Sequence, residues 1–286
     1  MSRISEIENA INDIIERRPH SKDAVTAFKP VLLEKTRWKE KLEPVSPVTD
    51  VEQLKKGIPV IRQTKLFLPG DPWQEIILSL SSAAGDGFPE FRKDFDTIKS
   101  SIRKSPLPVH DFLGKFPESD EEFISEWSRK MGIRPDALSF VLFTAIRTVL
   151  EKRGEEYRDH IKAADWDEGY CPVCGSFPSL AIIQEKTGRR KLNCSNCAFE
   201  WDFSRVDCPY CGDHAPEGMD FFFIDGNQQE SAYVCHKCKR YIITLNQVSD
   251  LTPQDREASS ISLAHMDMIM QDKGFAPMAF CAWNVF

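Results

Sequence analysis

Apolar residues recur at spacings of three and four over residues 1–165, the period that lines one face of an α-helix. Ile4, Ile7, Ile11 and Ile14 form the first such stripe. Asp71-Pro72 predicts a further helix, with a capping side chain and a proline at the first turn, ahead of the apolar run from Trp73 to Leu80 and a stop at Gly85. The widest apolar face belongs to a helix over 135–153, where Leu138, Val141, Leu142, Ala145, Ile146 and Leu150 fall together; this helix is predicted to be central. Asp120-Glu121-Glu122 reads as a set of acids at a helix N-terminus on a solvated surface. Between Gly57 and Pro69, prolines interrupt Ile58-Pro59-Val60-Ile61 and Leu66-Phe67-Leu68-Pro69, which predicts an extended connector.

From Gly169 to Val248 the pattern changes to short alternating runs such as Tyr241-Ile242-Ile243-Thr244-Leu245, which predicts small β-hairpins with Gly188 in the turn of the first. Phe221-Phe222-Phe223 reads as a strand beneath a metal site. A last helix is predicted to open at Thr252-Pro253-Gln254-Asp255 and to stop at Gly274. Its buried face, Ile261, Ala264, His265, Met268 and Ile269, would pack on the helical half or between metal units.

Cysteine placement adds chemistry to this pattern. All nine cysteines lie at or beyond position 171, and eight form four Cys-x-x-Cys pairs. Cys171-Pro172-Val173-Cys174-Gly175 recurs as Cys208-Pro209-Tyr210-Cys211-Gly212, an internal repeat. The first unit closes with Cys194-Ser195-Asn196-Cys197 and the second with Cys235-His236-Lys237-Cys238. A two-residue gap makes a knuckle that aims both sulfurs at one point, and glycine after the second cysteine eases the positive φ of such a turn. Two knuckles give four thiolates in a tetrahedron, suited to structural zinc or rubredoxin-type iron.

The tandem repeat predicts sequential pairing: Cys171, Cys174, Cys194 and Cys197 on one ion, Cys208, Cys211, Cys235 and Cys238 on the other. A cross-brace of first pair with third is the alternative. Redox-active dithiols are a second alternative, although that motif normally stands alone at a helix start. Structural zinc contributes about 10–16 kcal/mol of apparent binding energy in small fingers, so folding here is expected to depend on metal. Spacing does not separate zinc from iron. Four filled positions leave none for an activating water, which disfavours hydrolytic metal catalysis.

Composition narrows the function classes. A chain of 286 residues suggests about two domains, and its net charge of -7 opposes an electrostatic grip on nucleic acid. Over residues 167–249, eight Lys and Arg face eleven Asp and Glu, and each ion held by four thiolates would add about -2. The acidic opening Met-Ser-Arg-Ile-Ser-Glu-Ile-Glu lacks the basic start and apolar run of a signal peptide, so a cytoplasmic protein is expected. The uncharged, apolar tail from Gly274 to Phe286 is too short to span a bilayer, so no membrane insertion is expected. No phosphate-binding glycine loop, nucleophile elbow or His-Glu-x-x-His signature nominates an active site, and the chain reads as a non-enzyme.

Of the remaining polar and apolar features, His214 and His236 are expected on solvent-facing knuckle positions, because four cysteines already fill each tetrahedron. Cys281 reads as a small buried hydrophobe. Phe275, Phe280, Trp283 and Phe286 would form an aromatic patch that either packs internally or docks a partner.

These cysteine units resemble the FdhE family of formate dehydrogenase accessory proteins. The resemblance rests on Tyr170-Cys171-Pro172-Val173-Cys174-Gly175-Ser176-Phe177-Pro178, on Leu192-Asn193-Cys194-Ser195-Asn196-Cys197 with Glu200-Trp201, on Cys208-x-x-Cys211, and on Cys235-x-x-Cys238 leading into Tyr241. It is strong over residues 165–275 and compositional elsewhere. Ala198, where glycine is expected, and Cys281 depart from it. The resemblance implies a multidomain α+β protein: an all-α helical domain over 1–165, two rubredoxin-like or zinc-ribbon modules over 166–205 and 206–250, and a C-terminal helix with an apolar tail over 251–286. It implies a non-catalytic maturation factor that binds the immature catalytic subunit of formate dehydrogenase in the cytoplasm and holds iron through the eight cysteines. The residues themselves leave two rivals, a rubredoxin-like electron carrier and a zinc-ribbon nucleic-acid binder.

Overall fold

The computed structural model describes residues 3–116, 120–214, 218–224, 226–248 and 253–284. Helices occupy the first half: α1 (Arg3–Arg17), α2 (Lys22–Lys41), the short α3 (Val51–Leu54) and α4 (Val60–Gln63), α5 (Trp73–Gly87), α6 (Arg92–Lys104), α7 (Val109–Leu113), α8 (Glu121–Met131) and α9 (Pro135–Ile161). The amphipathic stripe of α1 buries Ile7, Ile11 and Ile14, and α9 carries Leu138, Val141, Leu142, Ala145, Ile146 and Leu150 into the main core. That helix runs eight residues past the expected stop, because its last turns bury Tyr157 and Ile161. At the start of α8, Asp120 Oδ1 accepts the Phe123 amide, a side-chain cap with Glu121 and Glu122 in the first turn.

Three local expectations change. Asp71 does not cap α5; one carboxylate oxygen accepts the Leu68 amide and the other pairs with the buried Arg153 at 2.7 Å. The connector over 57–69 is not extended throughout, since Pro59 precedes a single helical turn, α4. The last helix breaks at Leu263 into α10 (Pro253–Ser262) and α11 (Ala264–Asp272), while Thr252 lies outside the described residues. The break resets the helical phase. Met266, Asp267 and Met270 are buried in α11, and Met268 and Ile269 are exposed.

Among the described residues the β-rich region forms one seven-stranded sheet in the order β3-β2-β1-β6-β5-β4, with β7 added beside β6. The first cysteine unit supplies β1 (Pro178–Gln184), β2 (Arg190–Cys194) and β3 (Glu200–Phe203). The second supplies β4 (Met219–Ile224), β5 (Asn227–Cys235) and β6 (Arg240–Val248), and β7 (Ala276–Pro277) follows α11. Within each unit neighbouring strands are antiparallel; the units join through the parallel pair β1–β6, Leu180 opposite Ile243. The two units are thus halves of one sheet. Among the described residues no helix is long and apolar enough to cross a membrane.

Candidate metal centres

Each unit places its knuckles by the same local grammar. The first knuckle leads into the opening strand, and the second interrupts the chain between the next two strands, so that hairpin pairing brings Pro178 opposite Cys194 and Met219 opposite Cys235. In three knuckles the amide four residues after the leading cysteine returns to that cysteine's carbonyl: Gly175 to Cys171, Gly212 to Cys208 and Lys239 to Cys235, each at 2.9 Å. The residue after the second cysteine has positive φ in all four, namely Gly175, Ala198, Gly212 and Lys239. Ala198 therefore adopts the turn that glycine would adopt freely, at some steric cost.

The sulfurs gather as two sequential quartets, and within each they all lie within 4.8 Å of one another. In the first, Cys171 and Cys197 are 3.4 Å apart, as are Cys174 and Cys194, with Cys174 to Cys197 at 3.6 Å. In the second, the Cys208–Cys238 and Cys211–Cys235 separations are both 3.7 Å. A tetrahedron of thiolates around an ion at about 2.3 Å has edges of about 3.8 Å, so both quartets fit a four-coordinate ion. Amide donors support this reading: the Val173 amide points to Cys171 Sγ, and those of Asn196 and Cys197 point to Cys194 Sγ, all at 3.4 Å. Among the described residues no histidine joins either quartet. His214 pairs with Asp207 and His236 with Asp220, both at 2.8 Å.

Charge explains why such a set calls for a cation. Burial, reinforced by neighbouring sulfurs, pushes the Cys171 and Cys197 thiols well above their ordinary range. Burial also opposes ionisation of Cys174, but hydrogen bonds from Cys171, Cys194 and Cys197 outweigh it and hold that thiol well below. Four buried sulfurs can ionise together only around a positive ion.

The surroundings of the two quartets differ. The first is enclosed: Cys171, Cys174 and Cys194 are 0% exposed and Cys197 is 2%. The Val60 and Ile61 amides of α4 donate to the Pro172 and Val173 carbonyls at 2.8 and 2.9 Å, so the expected connector clamps the first knuckle. From α9, the buried Arg147 donates to the Ser195 carbonyl inside the second knuckle. The second quartet borders a groove of about 1080 Å³ between the units, and Cys211 is exposed on it. Arg190 of β2 also lines this groove. It is 1% exposed, donates to the Ser204 and Asp207 carbonyls at 3.3 and 3.2 Å, and leaves Nε and Nη2 without a partner among the described residues. Burial lowers its guanidinium to about 10.

Arg147, Arg190 and the Val60-Ile61 amides are the site-shaping groups that cysteine spacing does not disclose. Two of them leave a trace: Arg147 adjoins the apolar Ile146 on a buried helix, and Arg190 shares strand parity with Leu192 and Cys194. Of the other features, Cys281 is 9% exposed, its thiol pushed up to about 12 by burial. Trp283 packs into the cluster with Ile7, Ile11 and Ile14, while Phe280 is exposed and Phe286 lies outside the described residues.

Residues 170–205 match the family described as FdhE, central domain. A Protein FdhE homolog of Haemophilus influenzae strain PittGG is 36% identical over 241 residues, covering 80% of this chain and 72% of the relative. The chain belongs to the FdhE family. An FdhE homolog of Aquifex aeolicus is 31% identical over 195 residues; the match covers 66% of this chain and 62% of that relative. The crystal structure of the FdhE protein from Pseudomonas aeruginosa shares the fold with a TM-score of 0.56, 19% identity and coverage of 98% of this chain and 95% of that one.

Proposed function

We propose that the protein is an assembly factor for formate dehydrogenase: it binds the immature catalytic subunit in the cytoplasm and carries two ions, iron or zinc, on Cys171, Cys174, Cys194 and Cys197 and on Cys208, Cys211, Cys235 and Cys238. The pair of four-sulfur clusters at tetrahedral spacing, in a chain of the FdhE family, carries this reading. A quartet of thiolates saturates the ion, so the metal would hold the fold together or pass single electrons; hydrolysis would need an open position. The reading treats the protein as a non-enzyme and the helical half, the two metal units and the C-terminal segment as its working parts.

The deciding experiment removes the gene from its host. Formate dehydrogenase subunits should then accumulate with little activity, and in the complemented strain the tagged protein should retain the catalytic subunit. Undiminished formate oxidation in the deletion strain would overturn the assignment. A rubredoxin-like electron carrier is the second reading, favoured by the exposure of Cys211, through which an electron could leave the second centre. It requires iron with a reversible potential, and a zinc protein would remove it.

A further inference from the structure

The two quartets share a ligand set and a turn grammar, yet one is sealed and the other is open. Around the first, every cysteine is at most 2% exposed and both knuckles are pinned by the helical half; Cys208 and Cys235 of the second share the same core, but not this cover. Around the second, Cys208 and Cys235 are buried, Cys238 is half-buried and Cys211 is exposed on the groove beside Pro209, Tyr210 and Gly212. Its knuckle turns close locally, Gly212 to Cys208 and Lys239 to Cys235, with β7 alongside, where the Ala276 amide donates to the Lys239 carbonyl at 2.9 Å; from the first unit Arg190 holds the Asp207 carbonyl and Gly169 packs on Pro209. No contact of the kind that Arg147 makes to Ser195 reaches the Cys208–Cys211 knuckle from the helical half among the described residues.

A saturated tetrathiolate ion exchanges when an incoming donor atom reaches the metal and displaces one sulfur. One metal–sulfur bond breaks, one metal–donor bond forms, and the freed thiolate takes a proton from water; no electron moves. Solvent access and the mobility of one knuckle set that rate, and the shell around a site controls both.

We infer that the second quartet is an exchangeable site for a soft divalent cation, opening through Cys211 onto the inter-unit groove, whereas the first is a closed, inert one. This rests on the proposal that both quartets bind metal, and the two can fail separately. The full chain, reconstituted with zinc under reducing conditions, is first assayed for zinc content; fewer than two equivalents would defeat the metal reading. With two bound, pyridylazoresorcinol is added and release followed by absorbance. One equivalent should leave at least about tenfold faster than the other, because only one shell admits the chelator. In Cys211→Ser the slow equivalent should persist and the original fast phase should vanish. A single phase for both ions, or an unchanged fast phase in that variant, overturns the inference. Should the variant not fold, alkylation of the zinc-loaded wild type with iodoacetamide, mapped by mass spectrometry, tests the same difference in access. Cys211 should be modified first and Cys171, Cys174, Cys194 and Cys197 last; the reverse order overturns it.

Discussion

Arg147, on the buried face of α9, donates its guanidinium to the backbone carbonyl of Ser195, inside the knuckle that carries Cys194 and Cys197. The same side chain pairs with Glu151 at 2.8 Å and Glu257 at 3.2 Å and lies 5.2 Å from the Trp283 ring, so it binds α9, α10 and the tail to the first cysteine unit. Arg147→Ala should destabilise the fold by about 3–5 kcal/mol, the usual cost of unpairing buried charge, and loosen the first centre. Urea unfolding and metal content measured together check this. An unchanged midpoint would show that the contact is incidental.

Glu151 receives Lys35 at 2.8 Å, Lys39 at 3.3 Å and Arg147 at 2.8 Å. Burial alone would raise its carboxyl, but Lys35, Lys39 and Arg147 outweigh it and hold the group well below the usual carboxylate range. A depressed folded pKa gives stability that is present above the unfolded value and lost as pH falls through the folded one. Glu151→Gln should therefore unfold more readily near neutrality, and the deficit should shrink on acidification. A deficit independent of pH would contradict the ion cluster.

Asp267 behaves in the opposite sense. Burial raises its carboxyl to about 7, against the lowering hydrogen bond from Tyr241 Oη at 2.7 Å. A raised folded pKa gives stability that is full below the unfolded value and lost as pH rises through the folded one, here between about 4 and 7. Asn at 267 can still accept the tyrosine hydroxyl without a charge. The stability gap between Asp267→Asn and wild type should move in the variant's favour from about pH 6 to about pH 8. A constant gap in urea midpoints would refute it.

Ala198 holds φ of 51° where Gly175 and Gly212 hold 76° and 66° at equivalent turns. Ala198→Gly should relieve about 1 kcal/mol of steric cost, partly offset by the greater freedom of glycine in the unfolded chain. Thermal unfolding of the metal-loaded protein would register a rise; a fall would mean that the methyl's packing matters more than the backbone.

Replacing Cys171 and Cys174 together by serine should lower metal content from two ions to one and disorder the first unit, because two thiolates no longer balance a divalent ion in a buried site. Two ions retained after that change would contradict the sequential quartets.

Much of this architecture was legible in the chain, for identifiable reasons. Cys-x-x-Cys spacing is a short-range signal, and a tandem repeat of it names the quartets without knowledge of the fold. The face of α9 was legible because six apolar side chains share one helical phase. The joint between Leu180 and Ile243 was not, since a parallel pairing between distant strands has no local signature. Nor was the phase of α11: the break at Leu263 has no proline or glycine to mark it, and a single helical phase carried through it exchanges Met266 and Met270 for Met268 and Ile269. Arg147 stood among apolar residues as a charge that periodicity averages away, and Arg190 stood between Arg189 and Lys191, where neither neighbour marks it as the buried one.

The cover of α1 has a consequence for biosynthesis. Ile7, Ile11 and Ile14 shelter under Ala258, Ile261 and Trp283, which are translated long after them. A nascent chain must carry a greasy helix past the ribosome while its lid is still unmade, an interval in which chaperones and proteases compete for it. A circular permutant that places α10 and the tail ahead of α1 would shorten that wait, and its gain would appear in the yield of soluble protein more than in equilibrium stability.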